Sequence, residues 1–392
     1  MKKIPVNELK AGMSFSAPVY IEGDSLLVPA GVEIRKKDLE HLNSWGINAV
    51  ETEGDVVQPK AGTDPKGKAA PAPEAPKKKP SVISLTEVQE NRGAYRSYVD
   101  LIERLDAVFA SIGSGVSVEP RSIDDITGRL LQAVREQRNS FIGYILGGEV
   151  AGREMAKSSV NTAILSALIA MELKLPNHKI MQVVTGALLH DVGMLRLPKE
   201  IVDKKGGLSA SELQRIQAHP LYTYKIVNKE LLYPEDVGLI VLQHHERWDG
   251  DGYPRRISSI AIDIGARIVS VADAFEAMVS QKPYRNSMMG YQAMKNLLSD
   301  NSRRFDPDVL KAFIQTMGIY PIGSIILLNS GALARVVEVQ GTAPLRPKIR
   351  ILIDEFGKVF KQDEGNLIDL LAEKSLFIAR AVDPREVAKK HA

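Results

Sequence analysis

Apolar residues recur every three or four positions through the middle of this chain and give way to β-rich runs towards its end. Between about residues 85 and 175 the helical period is sustained. Val108, Ile112, Ile126, Leu130 and Val134 mark amphipathic helices, and residues 163–171 are apolar nearly all round, as in a buried helix. Helical patterning continues to about Met317, broken by loops at residues 205–207 and 249–258. After Tyr320-Pro321 come β-rich runs at 324–328, 334–339, 348–353 and 375–381, separated by Gly, Asn and Pro. They predict an appended sheet of about four strands.

Residues 1–56 read as a small α/β domain. Val19-Tyr20-Ile21 and Leu26-Leu27-Val28 flank Glu22-Gly23-Asp24, a hairpin signal. Helical spacing at Leu39, Leu42 and Trp45 predicts a helix over 36–45, with a closing strand at 47–50. Residues 57–82 are rich in Pro, Lys and Ala with almost no large apolar side chain, the composition of a semi-extended linker. The expected order is thus an N-terminal domain (1–56), this linker, a helical connector (83–149), a helical domain (150–320) and a β-rich subdomain (321–385). The fold class is α+β, mainly a helical bundle with two small accessory units.

Composition narrows the chemistry more than the fold. A formal net charge of +3 over 392 residues, part of it in the run Lys77-Lys78-Lys79, gives no reason to expect a nucleic-acid polymer or a membrane as partner. The N-terminus lacks an apolar h-region, and the longest apolar stretch, 160–170, is too short to span a bilayer. A cytoplasmic protein is the expectation. The absence of cysteine excludes disulfides, thiolate metal sites and a cysteine nucleophile. Any metal must be held by His, Asp and Glu, which suits iron, manganese, zinc or magnesium.

Such residues sit where the apolar pattern does not want them. Ile180, Val184 and Ala187 lead at helical spacing to His190-Asp191, and Val237, Ile240 and Val241 lead to His244-His245. Asp273 interrupts the apolar run 268–275. Taken singly, each has a plain structural explanation: a hydrogen-bonded core histidine, a loop entry at His219-Pro220, or an Asp273–Arg267 pair. Together they are better explained by convergence on a cation, because an isolated buried charge is very costly.

The ordered series His-Asp, His, His-His, Asp resembles the HD superfamily of metal-dependent phosphohydrolases. The stretch 244–254, His-His-Glu-Arg-Trp-Asp-Gly-Asp-Gly-Tyr-Pro, seconded by 272–277 and by Lys282-Pro283-Tyr284-Arg285, narrows the resemblance to the HD-GYP family. It covers about 150–320, and residues 1–56 look like the small N-terminal domain often joined to that family. The resemblance implies hydrolysis of cyclic di-GMP to linear pGpG or GMP on a di- or trinuclear divalent metal site, iron or manganese. It implies His190, Asp191, His219, His244, His245, Asp273 and Glu154 as metal ligands, with His190 and Asp191 at the catalytic centre. It implies Tyr253, Lys282 and Arg285 as substrate contacts, and protein partners through the N-terminal domain.

Three positions depart from the family pattern. Ser158 stands where the first His ligand is expected, Met194 where a Lys follows His-Asp-x-Gly, and Thr223 where a Gly follows His-Pro. The first two touch the metal, water and phosphate chemistry, so two readings stand: a phosphodiesterase with reduced turnover, or a cyclic di-GMP receptor or interaction module without turnover. A third is hydrolysis of another cyclic dinucleotide or of a nucleotide monophosphate. The Tyr253 loop argues against the monophosphate.

Overall fold

The computed structural model describes residues 2–17, 19–21, 25–28, 31–32, 34, 39, 49–57, 92–147, 153–204, 206–280, 288–299, 303–361 and 364–383. The chain divides into two compact units, Met1–Lys78 and Lys79–Ala392.

In the first unit, β1 (Lys2–Pro5), β3 (Val19–Ile21), β4 (Ser25–Val28) and β5 (Ala49–Thr52) form an antiparallel sheet in the order β1-β5-β3-β4. A second, two-stranded pairing joins β2 (Ser14–Phe15) to β6 (Val56–Val57). Val6, Phe15, Val19, Val28, Ile34 and Val50 make its core. The strands flanking Glu22-Gly23-Asp24 pair antiparallel, β3 with β4, as expected, and the turn itself lies outside the described residues. The expected closing strand is found at Ala49–Thr52, inside the sheet and not at its edge, because β1 adds outside it. Of the helix expected over 36–45 only Leu39 is described, in helical conformation, and the linker from residue 58 onward lies outside the described residues.

The second unit is built on helices. They are α1 (Arg92–Ser114), α2 (Pro120–Gly147), α3 (Glu154–Glu172), α4 (Asn177–Leu189), α5 (Lys199–Val202), α6 (Ala210–Ile216), α7 (His219–Lys225), α8 (Glu235–Gln243), α9 (Ile264–Val279), α10 (Gly290–Ser299) and α11 (Pro307–Met317). In α3 every residue from Ser159 to Ala170 is buried, so this helix runs through the middle of the bundle, as its all-round apolar pattern requires. One hydrophobic core extends from Ala94 on α1 to Met317 on α11. The connector helices α1 and α2 therefore share a core with the helices that follow them. Tyr98, Leu101, Ile102, Leu105, Phe109 and Ile112 form the buried stripe of α1 at helical spacing.

Beyond α11, β7 (Ile325–Leu328), β8 (Leu333–Glu338), β9 (Lys348–Ile353), β10 (Leu367–Asp369) and β11 (Ile378–Val382) make an antiparallel sheet ordered β10-β9-β8-β7-β11. The extra strand, β10, is only three residues long, too short to give a β-rich run. Side chains leave this sheet to two small clusters, one around Ile326, Val336 and Ile349 and one around Ile325, Leu352 and Val382.

The packing that brings α4, α8 and α9 together depends on small residues around Ile240. A Cβ at Gly186 on α4 would stand 2.6 Å from Ile240 Cγ2, and one at Gly265 on α9 would stand 2.6 Å from Ile240 Cδ1. Gly186→Ala gains about 1 kcal/mol of helix propensity, but overpacking a closed core costs about 1–3 kcal/mol. Ile240 is 2% exposed and β-branched, so it has little room to yield. We expect net destabilisation, read as a lower urea midpoint. An equal or higher midpoint would show that the contact is soft.

Candidate metal centre

Three histidines stand at the C-terminal ends of helices and bond there in the same way. His190 follows α4, His244 follows α8, and His219 follows α6 by three residues. Each sends Nδ1 to the carbonyl three residues earlier: His190 to Ala187 at 2.8 Å, His219 to Ile216 at 2.7 Å and His244 to Val241 at 2.8 Å. Carbonyls in a last helical turn lack intrahelical partners, which is why the bond forms. A carbonyl only accepts, so Nδ1 carries the hydrogen. In the neutral ring Nε2 then presents a lone pair.

Those Nε2 atoms meet at one place. His219 Nε2 lies 3.4 Å from His244 Nε2 and 3.2 Å from Asp191 Oδ1, which is also 3.9 Å from His244 Nε2. His190 Nε2 lies 3.3 Å from Asp191 Oδ2 and 3.7 Å from Asp273 Oδ1. The His245 ring lies tilted against His244, with centroids 4.0 Å apart. Asp191, His219, His244 and His245 each have a ligand atom within 4.8 Å of the other three. Asp191 thus turns one oxygen to His190 and the other to the His219–His244 pair. Arg267, the alternative partner considered for Asp273, is instead paired with Asp306 at 2.6 Å.

Acceptors facing acceptors at this range repel unless a cation lies between them. The buried His190 Nε2 makes no hydrogen bond at all. Donors held about 2.0–2.2 Å from a shared metal stand roughly 3 to 3.5 Å apart. The observed 3.2–3.4 Å separations have that size. The residues therefore fit divalent cations bound by imidazole and carboxylate. Helix C-termini carry partial negative charge, and α4 and α8 both end here, which favours a cation further.

The electrostatics agree. Burial, then the neighbouring imidazoles of His245, His190 and His219, hold His244 far below the ordinary histidine range. Burial pushes His245 down to about 4 against the pull of Asp273. Both rings are neutral near pH 7 with lone pairs available. Burial disfavours charge on His190, Asp191 and Asp273, but their mutual attraction outweighs it. His190 is raised and both carboxyls are held below their usual range, so without a metal His190 is itself the cation between the two carboxylates, and a bound metal would take the place of its Nε2 proton.

The 244–254 stretch closes over this centre as a braced loop. Arg247 donates two bonds to Asp249, and Asp249 accepts the Asp251 amide. The Trp248 amide donates to the Arg304 carbonyl at 2.9 Å. Buried Glu246 accepts the Arg255 amide at 2.6 Å. Gly252 passes so close that a Cβ there would meet the Arg247 nitrogen at 2.4 Å and the His245 carbonyl at 2.6 Å. That approach lets the Tyr253 amide reach the His245 carbonyl and its ring stack on His245, with centroids 4.7 Å apart. Burial, with Asp191 and Asp273, raises the Tyr253 phenol and keeps it protonated, while the charge of Arg304 acts in the opposite sense.

Six of the residues named from sequence, His190, Asp191, His219, His244, His245 and Asp273, thus come together, with Tyr253 beside them. Glu154 is exposed in the first turn of α3, and among the described residues it bonds to none of the six. Lys282 and Arg285 lie outside the described residues. Thr223 accepts the Gly193 amide at 3.0 Å and donates to the His190 carbonyl at 3.1 Å, tying α7 to the His190 turn. Ser158 turns to Glu276, at 2.6 Å. Sequence reasoning passed over Glu246, Glu276 and Arg304. Glu276 was detectable by the rule that found Asp273, a carboxylate in the apolar stretch of α9.

Residues 149–309 match the family model described as HD domain, and residues 325–390 match the KOW domain associated with HD domain. The chain is 28% identical over 297 residues to the cyclic di-GMP phosphodiesterase PdeB of Borreliella burgdorferi, covering 76% of this chain and 78% of the relative. It is 26% identical over 371 residues to a cyclic di-GMP phosphodiesterase of Pseudomonas aeruginosa, covering 92% and 87%. Over a shorter span, 42% of this chain and 36% of the relative, it is 32% identical to a 3'3'-cGAMP-specific phosphodiesterase of Vibrio cholerae.

A metal-free preparation should gain stability on adding Mn(II) or anaerobic Fe(II), by about 2.7 kcal/mol at a hundredfold excess over the dissociation constant. Chelation should reverse the gain, and His244→Ala should remove it. A thermal melt indifferent to metal in the native chain would count against the site.

Proposed function

We propose, on the premise that this chain belongs to the HD-GYP family of HD-domain proteins, that it is a metal-dependent phosphodiesterase acting on cyclic di-GMP. The observation that carries the reading is the convergence of His190, His219 and His244 Nε2 with the Asp191 and Asp273 carboxylates at separations of 3.2–3.7 Å. Relatives named as phosphodiesterases of cyclic dinucleotides support the same chemistry. A cytoplasmic location belongs to this reading; among the described residues no helix is long and apolar enough to cross a membrane.

His190, His219, His244 and His245 would hold the metal through ring nitrogens and Asp273 through its carboxylate, and Asp191, which faces histidines on both oxygens, would serve as a further carboxylate ligand. When bound, divalent iron or manganese supplies an activated water and neutralises charge in an in-line displacement at phosphorus. Each Nδ1 bond to a helix carbonyl holds an imidazole in the binding tautomer. Tyr253, protonated and stacked on His245, donates to a phosphate oxygen. Lys282 and Arg285 are phosphate-facing cations in this proposal. Arg304 joins them, because its backbone is bonded to the loop at Trp248 and its charge reaches Tyr253. The product is linear pGpG or GMP. Glu154 is left out of the ligand set.

One observation favours a second reading, binding without turnover. Met194, half-buried three residues after Asp191, brings no charge where the family pattern expects a lysine. Metal-loaded protein incubated with cyclic di-GMP, and separately with 3'3'-cGAMP, distinguishes the cases. Cleavage of cyclic di-GMP at the higher kcat/KM supports the proposal, preference for 3'3'-cGAMP moves the substrate, and saturable binding without product supports the receptor. In an active preparation Tyr253→Phe should lower kcat/KM by roughly tenfold, the loss of one hydrogen bond to a charged oxygen. Arg304→Ala should raise KM with kcat little changed. Wild-type constants in both variants would remove those residues from the site.

A further inference from the structure

Glu276 lies one turn beyond Asp273 on α9 and is 1% exposed. Its carboxylate accepts hydrogen bonds from Ser158 Oγ at 2.6 Å, from Asn161 Nδ2 at 3.2 Å and from Ser280 Oγ. Asn161 is itself held through Oδ1 by the Tyr98 hydroxyl at 2.7 Å. Residues of α1 and α3 and the end of α9 therefore close on one buried carboxylate. Every one of these donors is neutral, and among the described residues no Lys, Arg or His pairs with Glu276. A buried carboxylate without a countercharge is expensive even with three donors, and a cation nearby would favour it. The cation-seeking cluster that Asp273 faces is one helical turn away.

We propose that Glu276 is a positioning residue of the metal centre, and that Ser158 is its hydrogen-bond donor and not a metal ligand. The proposal rests on the metal reading above. The three donors fix the Glu276 turn of α9, and with it the turn that presents Asp273. The buried negative charge favours cation occupancy through the protein interior, where it is weakly screened. Position 158 is then no vacancy in the ligand set. Its hydroxyl is committed to Glu276, and the metals are held by the six converged residues without it.

The test is a Mn(II) titration of the metal-free full-length chain, reading count and affinity by calorimetry or by free-Mn(II) electron resonance. Circular dichroism melts of the metal-free variants accompany it. Ser158→Ala should bind the same number of Mn(II) ions as the native chain. Glu276→Gln keeps the size and most of the hydrogen bonding, and should weaken Mn(II) roughly tenfold through the lost charge, about 1.4 kcal/mol. Its metal-free melt should stay close to native. Loss of one Mn(II) in Ser158→Ala would make the serine a ligand and overturn the proposal. Native affinity in Glu276→Gln would do the same by reducing Glu276 to a packing residue. Should Glu276→Gln not fold, Ser158→Ala with Ser280→Ala withdraws two donors and should weaken Mn(II) in the same sense; native affinity there would overturn the proposal. A native chain that binds no Mn(II), Fe(II) or Zn(II) would defeat the metal reading itself, a separate result.

Discussion

The histidine–carbonyl bond at the end of a helix is the constraint on which the site depends. It is made at His190, His219 and His244, and each time it does two things. It satisfies a carbonyl that the helix leaves without a partner, and it fixes which ring nitrogen keeps its lone pair. Local helix termination and metal-binding competence are therefore the same interaction. A ring free to choose its tautomer would often present an Nε2 proton to the centre. Here the backbone has made the choice.

The rest of the helical unit aims those ends. α3 runs buried through the bundle, and Gly186 and Gly265 let Ile240 hold α4, α8 and α9 at close approach. Asp191 and Asp273, both half-buried, bring negative charge to a partly dehydrated place, where it needs compensation. The partial compensation visible within the protein is the attraction of His190 to both. The braced loop at 244–254 covers the centre and delivers a protonated phenol to its edge. Stability and binding chemistry thus draw on the same buried groups.

The departures at Ser158 and Thr223 look different once their bonds are known. From the pattern each is a loss. In the fold Ser158 is a donor to a buried carboxylate, and Thr223 bonds both the Gly193 amide and the His190 carbonyl. Both now belong to the scaffold around the centre. Among the described residues the Met194 side chain makes no such bond, and Met194 is the departure on which the two proposed readings turn.

The helical bundle, the C-terminal sheet and the residues of the centre were legible in the chain, because burial imposes a period and a carboxylate inside that period demands a partner. The β-rich runs marked four of the five C-terminal strands. β10 escaped because three residues ending in Asp carry no pattern. The placement of β5 within the first sheet escaped because strand order depends on pairings between distant segments. The sequence by itself determined which side chains are chemically suited to a metal and that they come in helical register. Only the tertiary structure decided that Nε2 and not Nδ1 faces inward, that Arg267 belongs to Asp306, and that Ser158 belongs to Glu276. The physical reason is range: periodicity reports the face a residue occupies, whereas the partner it meets is set by how separate helices are packed together.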